Sequence, residues 1–130
     1  MKEDFYKIED LEVWREGRKL RKDISKLVKK FPRHEKFKLV DQMIRASRSV
    51  TANISEGYGR FHYQENIQFC RQARGSLYEV FDHLTVALDE EYIEESIFGE
   101  YKKRIFNIIK LINGYIKYLK TKKDSDKSSY

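Results

Sequence analysis

Apolar residues recur every three or four positions in four separate stretches of the chain, the spacing that places them on one face of an α-helix. The stretches cover residues 10–31, 35–56, 64–88 and 96–120, and Asp10 is the expected N-cap of the first. The links between them are short, so consecutive helices are expected to pack side by side. The pattern predicts an all-α fold, an antiparallel up-down-up-down four-helix bundle.

Both ends of the chain depart from the helical pattern. Residues 1–9 contain Phe5, Tyr6 and Ile8 before any helical period begins, and we expect an extended arm that docks on an apolar surface. Residues 121–130 have no apolar residue except the terminal tyrosine, and we expect them to be disordered. The chain has the size of one domain. Residues 1–120 are therefore predicted to form the bundle with its arm, followed by a polar tail.

The fourth predicted helix carries two apolar columns instead of one. The first follows the helical spacing from Tyr101 to Leu119, and the second consists of Ile109 and Ile116. A helix that is apolar over so much of its surface is either central in its own bundle or also faces another subunit.

The second predicted helix combines its apolar face with a stripe of small and polar residues. Ser49, Asn53 and Glu56 lie four and then three positions apart, so they share one helix face. Such a seam lets another backbone approach closely. Asn53 and Glu56 are interpreted either as hydrogen-bonded pins between packed helices, the commoner role of buried polar groups, or as catalytic or ligand-binding residues. Gly57 is predicted to close the helix in the left-handed conformation.

The third predicted helix contains two small residues among strong helix formers, Gly75 and Ser76. A glycine inside a helix costs about 1 kcal/mol relative to alanine unless close packing compensates for it. We therefore expect this part of the third helix to contact the seam of the second helix.

Charge is distributed unevenly along the chain. Residues 11–33 contain nine basic and three acidic residues, a net charge of +6 that equals the net charge of the whole chain. Residues 89–100 contain six acidic residues and no basic one. Bases in the first segment repeat at helical spacing and define a basic stripe: Arg15, Lys19, Lys22, Lys26, Lys29 and Arg33. This stripe is either a surface for nucleic-acid phosphates or a solvated helix face, and the acidic segment of a neighbouring copy is a further possible partner.

Arg45 and Arg48 lie beside the seam of the second helix. Their planar guanidinium groups suit phosphate. They are also placed to form salt bridges between subunits with Glu35, Asp41 or the acidic segment, and we favour the subunit contacts. The predicted helix-interface set is therefore Arg45, Arg48, Ser49, Asn53, Glu56 and Ser76.

The sequence lacks the residue patterns of common enzymes and metal sites. Cys70 is the single cysteine, so neither an intramolecular disulfide nor a thiolate zinc cluster can form within one chain. Glu79 and His83 are one helical turn apart, but a zinc site needs a third or fourth ligand. No phosphate-binding glycine loop occurs. We expect no enzymatic activity, no cofactor and no bound metal.

The composition also argues against a membrane or secreted protein. No stretch approaches the ~20 apolar residues that a membrane span requires. The N-terminus lacks the apolar segment of a signal peptide. We expect a cytoplasmic location.

Several spaced motifs lie within residues 11–120. They are Leu11-Val13-Trp14, Phe31-Pro32 with Glu35, Asp41-Gln42 with Arg45-Ala46, Ser49-Val50, Ala52-Asn53-Ile54, Glu56-Gly57-Tyr58-Gly59-Arg60, and Ala73 with Gly75-Ser76-Leu77 and Glu79. In this combination the chain resembles the small four-helix bundle proteins that are encoded in intervening sequences of bacterial large-subunit ribosomal RNA genes. It departs from that family at His62 and Tyr63, where a Ser or Thr commonly caps the third helix.

The resemblance implies a left-handed antiparallel bundle without catalytic residues. It also implies similarity to the accessory protein of diversity-generating retroelements, which assembles as a pentameric ring and binds nucleic acid and a reverse transcriptase. For this chain the resemblance therefore implies a homo-oligomer, most simply a pentamer.

Two functional hypotheses follow. In the first, the protein is a non-enzymatic oligomer that binds RNA or DNA backbone through its basic stripe. In the second, it is a structural adaptor whose oligomer binds a protein partner such as a reverse transcriptase, and the basic and acidic surfaces serve assembly.

Overall fold

Four helices make up most of the chain in the computed structural model, which describes residues 7–128. They are α1 (Glu12–Leu27), α2 (Leu39–Tyr58), α3 (Tyr63–Asp89) and α4 (Glu95–Ser128). No strand occurs between residues 7 and 128, so the predicted all-α class is confirmed. The predicted docking of Phe5 and Tyr6 lies outside the described residues.

The ends of α1 and α2 differ from the predicted boundaries because short 3₁₀ turns flank them. Asp10 lies inside the 3₁₀ turn Ile8–Asp10, where its carboxylate accepts the backbone N–H of Lys7 (3.3 Å), and Leu11 is the N-cap of α1. Helix α2 begins at Leu39, later than the predicted position 35. Glu35 still assists this start, because its side chain accepts the Leu39 N–H (3.4 Å).

The core lies between the apolar faces of all four helices. α4 packs against both α1 and α3, and its second apolar column is buried as well, with Ile109 6% and Ile116 5% exposed. This column therefore lies inside the protein's own bundle, the first of the two alternatives that the sequence left open. Fully buried side chains come from every helix: Leu20, Ile24, Met43, Ile54, Leu77, Leu84, Ile105 and Ile112.

Gly57 is helical, and the prediction that it adopts the left-handed conformation is wrong. No described glycine has a positive φ, and α2 continues to Tyr58. The glycine is needed for a different reason: a Cβ at this position would lie 2.7 Å from Asn66 Oδ1 and 2.9 Å from Phe69 Cβ. The end of α2 and the beginning of α3 therefore meet at a distance that only a residue without a side chain allows.

Gly75 does not make the close helix contact that was predicted for it. It is exposed, and an added Cβ would meet no atom within 4 Å. Its neighbour Ser76 is the residue that faces α2, because its hydroxyl lies 2.9 Å from the hydroxyl of Ser49.

Helix α4 continues into the segment that was predicted to be a disordered tail. It ends at Ser128, and Lys123 donates a hydrogen bond to the Gln64 side chain near the start of α3 (2.7 Å). Thr121 donates to the Lys117 carbonyl within the helix (3.1 Å). Lysine favours helix, so the polar composition of this segment did not prevent helix formation once one face had an anchor on α3.

The link between α3 and α4 contacts the link between α1 and α2. Two residues after the end of α3, Glu91 adopts the left-handed conformation (φ 63°). The N–H of the next residue, Tyr92, donates to the Ala87 carbonyl (2.8 Å). This hydrogen bond orients Tyr92 so that its hydroxyl donates to Glu35 Oε2 (2.7 Å). The ring of Tyr92 also lies 5.3 Å from that of Phe31.

Substitution of two glycines by alanine is expected to change stability in opposite directions. Gly57→Ala should lower the free energy of unfolding by about 1–3 kcal/mol, because the methyl group overlaps α3. Gly75→Ala should raise it by about 0.5–1 kcal/mol, because an exposed helical position gains helix propensity without a clash. Urea unfolding of both variants measures the difference. Equal effects at the two positions would show that α2 and α3 do not approach closely at Gly57.

The Tyr92–Glu35 hydrogen bond should make stability depend on pH at both extremes. It lowers the pKa of Glu35 and raises the pKa of Tyr92 to about 12. The Glu35 contribution is present above its ordinary pKa of 4.5 and is lost as the pH falls through the lowered folded-state value. The Tyr92 contribution is complete below its ordinary pKa of 10.0 and is lost as the pH rises toward about 12.

Tyr92→Phe should therefore destabilise the protein most between these two limits, and its stability should converge with that of the wild type in acid. The measurement is chemical unfolding across a pH series. Tyr101→Phe is the control for the acid limb, because that hydroxyl donates to the backbone carbonyl of Asp23 (3.3 Å), which does not titrate. An unchanged acid limb in Tyr92→Phe would contradict the assignment.

Candidate nucleic-acid interface

The six residues of the basic stripe are all exposed, but they lie on three consecutive elements. Arg15, Lys19, Lys22 and Lys26 share one face of α1. Lys29 belongs to the 3₁₀ turn Val28–Lys30, and Arg33 opens the 3₁₀ turn Arg33–Glu35. The stripe therefore follows α1 and then continues along the link to α2.

The two ends of the stripe differ in how their charges are paired. Arg15 donates to the Glu9 carbonyl (3.1 Å), and Lys19 forms an ion pair with Glu16 (3.3 Å). Within the described part of the chain, the four remaining side chains have neither a hydrogen bond nor an ion pair: Lys22, Lys26, Lys29 and Arg33. The distal part of the stripe, these four residues, is thus an exposed group of cations that no described residue neutralises.

An arginine–tryptophan cluster borders the stripe and was not predicted from the sequence. The guanidinium carbons of Arg18 and Arg21 each lie 5.9 Å from the Trp14 ring centroid. Arg21 also donates to the Thr51 hydroxyl on α2 (2.8 Å). Arg18 and Arg21 follow Trp14 by four and seven positions, which places all three residues on one face of α1. This spacing is the sequence signal from which the cluster could have been predicted.

Three of the predicted interface residues form one hydrogen-bond chain between α2 and α3. Asn53 donates to both the carbonyl (2.9 Å) and the hydroxyl (3.0 Å) of Ser49. The hydroxyls of Ser49 and Ser76 lie 2.9 Å apart, and Ser76 donates to the Gln72 carbonyl (3.2 Å). The chain satisfies polar groups within one protomer, which is the arrangement of a pin between packed helices.

The structure does not bring the other three predicted interface residues into this contact. Arg45 pairs with Asp41 on the outer surface of α2 (3.1 Å), and its side chain is 80% exposed. Arg48 is exposed on the same helix. Glu56 is half exposed and pairs with Arg60 (2.8 Å).

A cavity of about 380 Å³ lies where the start of α1, the α2–α3 link and the last part of α4 meet. Its floor includes Asn66, which is 3% exposed and donates to the Tyr115 hydroxyl (3.2 Å). Asn66 Oδ1 in turn accepts a weak hydrogen bond from the Cys70 thiol (3.6 Å). Burial raises the pKa of Tyr115 to about 12 and that of the Cys70 thiol to about 12, so both groups carry their protons near neutral pH.

Sequence reasoning missed this cavity because the residues that line it are distant from one another in the chain.

Helix α3 begins at Tyr63 with His62 as N-cap, and the His62 side chain makes no capping hydrogen bond. This agrees with the departure from the family pattern at these two positions. The lining residues are Lys7, Asp10, Leu11, Tyr58, Arg60, Phe61, His62, Tyr63, Asn66, Tyr115, Tyr118, Leu119 and Lys122.

Neither a metal cluster nor a membrane-spanning helix occurs in the described structure. Residues 7–128 contain no group of three or more side chains suited to hold a metal ion, and His83 with Glu79 remains a pair (3.3 Å). None of the described helices is long and apolar enough to cross a membrane.

Comparisons with known proteins place the chain in a family. Residues 9–114 match the model of the 23S rRNA-intervening sequence protein family. No curated protein matches the chain. A crystal structure of a protein of unknown function from the S23 ribosomal protein family of Bacteroides thetaiotaomicron has the same fold, with a TM-score of 0.76 and 23% sequence identity, covering 85% of this chain and 99% of that one. Because the family model covers most of the sequence, the chain belongs to the 23S rRNA-intervening sequence protein family.

Proposed function

We propose that the protein is a non-enzymatic, cytoplasmic, oligomeric helical bundle that binds the backbone of RNA or DNA through its basic stripe. The observation that carries the proposal is the distal part of the stripe, where Lys22, Lys26, Lys29 and Arg33 are exposed and have no hydrogen bond or ion pair with the described residues. Cations of this kind are available to neutralise phosphates and release counterions from nucleic acid. A cation already paired with a carboxylate gains less from such a contact.

Oligomerisation would increase the affinity of this surface without any new contact. A few lysine–phosphate contacts give weak, salt-sensitive binding. Several stripes in one assembly bind the same polyanion together, and the effective concentration of the second stripe raises the overall affinity. We propose that the four helices run up-down-up-down and that copies form a closed ring, most simply the pentamer implied by the resemblance to the accessory protein of diversity-generating retroelements.

An exposed aromatic patch on α3 and α4 supports self-association. Tyr78 is 50% and Phe106 37% exposed, and their rings meet edge to face at 5.8 Å. Phe106 continues the patch toward Phe81 at 5.3 Å, and Phe81 toward Phe98 at 5.9 Å. Contiguous exposed aromatic surface marks a protein contact more often than it marks a solvated face.

The same patch favours a second candidate function, that of a structural adaptor. In this alternative the aromatic patch binds a different protein, such as a reverse transcriptase, and the basic stripe meets the acidic link of a neighbouring copy. That link presents Asp89, Glu90, Glu91 and Glu94, which are all exposed. Charge reversal of the stripe distinguishes the two functions. It would abolish nucleic-acid binding in the first and assembly of the oligomer in the second.

Reversal of the unpaired lysines separates the two functions. The triple variant Lys22→Glu, Lys26→Glu and Lys29→Glu should lower affinity for a structured RNA or a duplex DNA on the order of a hundredfold at low salt. It should also reduce the slope of log affinity against log salt concentration by about three, one for each lost phosphate contact. Fluorescence anisotropy across a salt series measures both quantities.

The matched control reverses three exposed lysines of α4, Lys102, Lys110 and Lys117, and changes the net charge by the same amount. Its binding should remain close to that of the wild type. Equal losses in the two variants would assign binding to net charge alone. A stripe variant that binds normally but dissociates to monomers would favour the adaptor instead.

Disruption of the aromatic patch should dissociate the oligomer. The double variant Tyr78→Asp and Phe106→Asp places two charges on the proposed contact, so the measured mass should fall toward the monomer at 15.7 kDa. Light scattering after size-exclusion chromatography measures this mass, and circular dichroism checks the helix content. Phe37→Asp is the control, since Phe37 is 84% exposed in the α1–α2 link. An unchanged mass in the patch variant would place the subunit contact elsewhere.

A further inference from the structure

The cavity at one end of the bundle combines aromatic walls with cationic groups, and the basic stripe does not account for it. Its aromatic walls come from two separate elements. Phe61, in the α2–α3 link, is 78% exposed and its ring lies 5.0 Å from that of His62. Tyr118 on α4 is 53% exposed, and its ring is nearly parallel to that of Tyr115, at 11° with centroids 6.2 Å apart. The cavity thus offers flat apolar faces that are open to solvent.

A directed hydroxyl group lies among these aromatic faces. The Tyr115 oxygen accepts the Asn66 N–H, and the hydrogen of its own hydroxyl has no acceptor among residues 7–126. Asn66 is itself buried and accepts a weak hydrogen bond from the Cys70 thiol, so the partner that orients the hydroxyl lies within the core. A ligand with a ring nitrogen or carbonyl acceptor would satisfy the remaining donor.

The charged groups that line the cavity are mainly cationic. Lys122 Nζ lies 5.7 Å from the Tyr118 ring centroid, and Lys7 contributes to the lining where the 3₁₀ turn Ile8–Asp10 precedes α1. Asp10 is the one acidic side chain in the described lining, and its carboxylate already accepts a backbone N–H. The cavity is therefore complementary to a ligand that carries both an aromatic ring and a negative charge.

We propose that this cavity binds a nucleoside phosphate, with the base against Phe61 and Tyr118 and the phosphate beside Lys122 and Lys7. The volume of about 380 Å³ lies within the range of small-molecule sites. Aromatic side chains stack on the flat face of any base, so the site recognises the class and not one particular base. The same chemistry is present in a free mononucleotide and in the terminal nucleotide of a single strand.

The proposed site is separate from the basic stripe. Its lining contains none of the six stripe residues. The lining reaches α1 only at Leu11, and Lys22 lies about 16 Å further along that helix, so a mononucleotide in the cavity does not reach the distal part of the stripe. The two surfaces can therefore be tested independently. The stripe variant with three reversed lysines should keep full affinity for a mononucleotide.

The test is a titration of the full-length protein with adenosine 5′-monophosphate, followed by amide chemical shifts in heteronuclear NMR. Saturable shifts are expected for the amides of Phe61 and Tyr118, with a Kd in the millimolar range or lower. Adenosine and ribose 5-phosphate, which carry only the base or only the phosphate, should each bind at least several-fold more weakly. A short single strand with a terminal phosphate should shift the same amides if the natural source is a strand end, whereas tighter binding of the mononucleotide would assign a free nucleotide.

Phe61→Ala and Tyr118→Ala should each weaken binding of the nucleotide on the order of tenfold, because each removes a stacking surface. Phe37→Ala is the matched control, since Phe37 is 84% exposed but lies in the α1–α2 link, outside the cavity lining. Lys122→Ala should weaken binding of the nucleotide more than binding of adenosine. Absence of saturable shifts at millimolar nucleotide, or equal losses in Phe37→Ala, would overturn the proposal. Nucleotide binding that appears only after removal of residues 1–6 would assign the cavity to the chain's own N-terminus and would overturn it as well.

Discussion

Helices α2 and α3 approach each other at Gly57, where the backbone of one helix meets the side chains of Asn66 and Phe69 on the other. A hydrogen-bond chain from Asn53 through Ser49 to Ser76 continues the same contact further along the pair. These hydrogen bonds fix the register of the two helices. If one helix moved along the other, the serine hydroxyls would lose their partners in a water-poor environment. The position of the α2–α3 link follows from this contact, and with it the cavity that the link helps to enclose.

The sequence predicted those features that depend on local periodicity. The helix faces, the stripe on α1 and the serine–asparagine seam are repeats of three and four residues, and such repeats place side chains on one face regardless of tertiary structure. The structure adds features that depend on distant parts of the chain. Asn66 and Tyr115 are 49 positions apart. The role of Gly57 depends on what packs against it, and the last turns of α4 depend on an anchor at Gln64. Periodicity carries no information about such partners.

The pairing of charges within the fold distinguishes cations that contribute to structure from cations that remain available. Asp23, one of the three acidic residues between positions 11 and 33, pairs with Arg104 of α4 (2.9 Å), so it links α1 to α4 and does not neutralise a lysine of its own helix. Arg21 is held by Thr51 on α2. The net charge counts every basic residue of this segment equally, although some of them, such as Arg21, already have partners within the fold. The proposed binding surface therefore contains fewer basic residues than the net charge of residues 11–33 indicates.

The buried thiol of Cys70 can report on local opening of the core. The side chain is fully buried, and a pKa of about 12 keeps almost no thiolate at neutral pH. A disulfide reagent can therefore reach the sulfur only when α3 separates locally from its neighbours. The rate of modification under native conditions measures how often this part of the core opens, and because the thiol contacts Asn66, it reports on the floor of the cavity itself. A compound that occupies the cavity would slow this exchange in proportion to its occupancy, without any label being added.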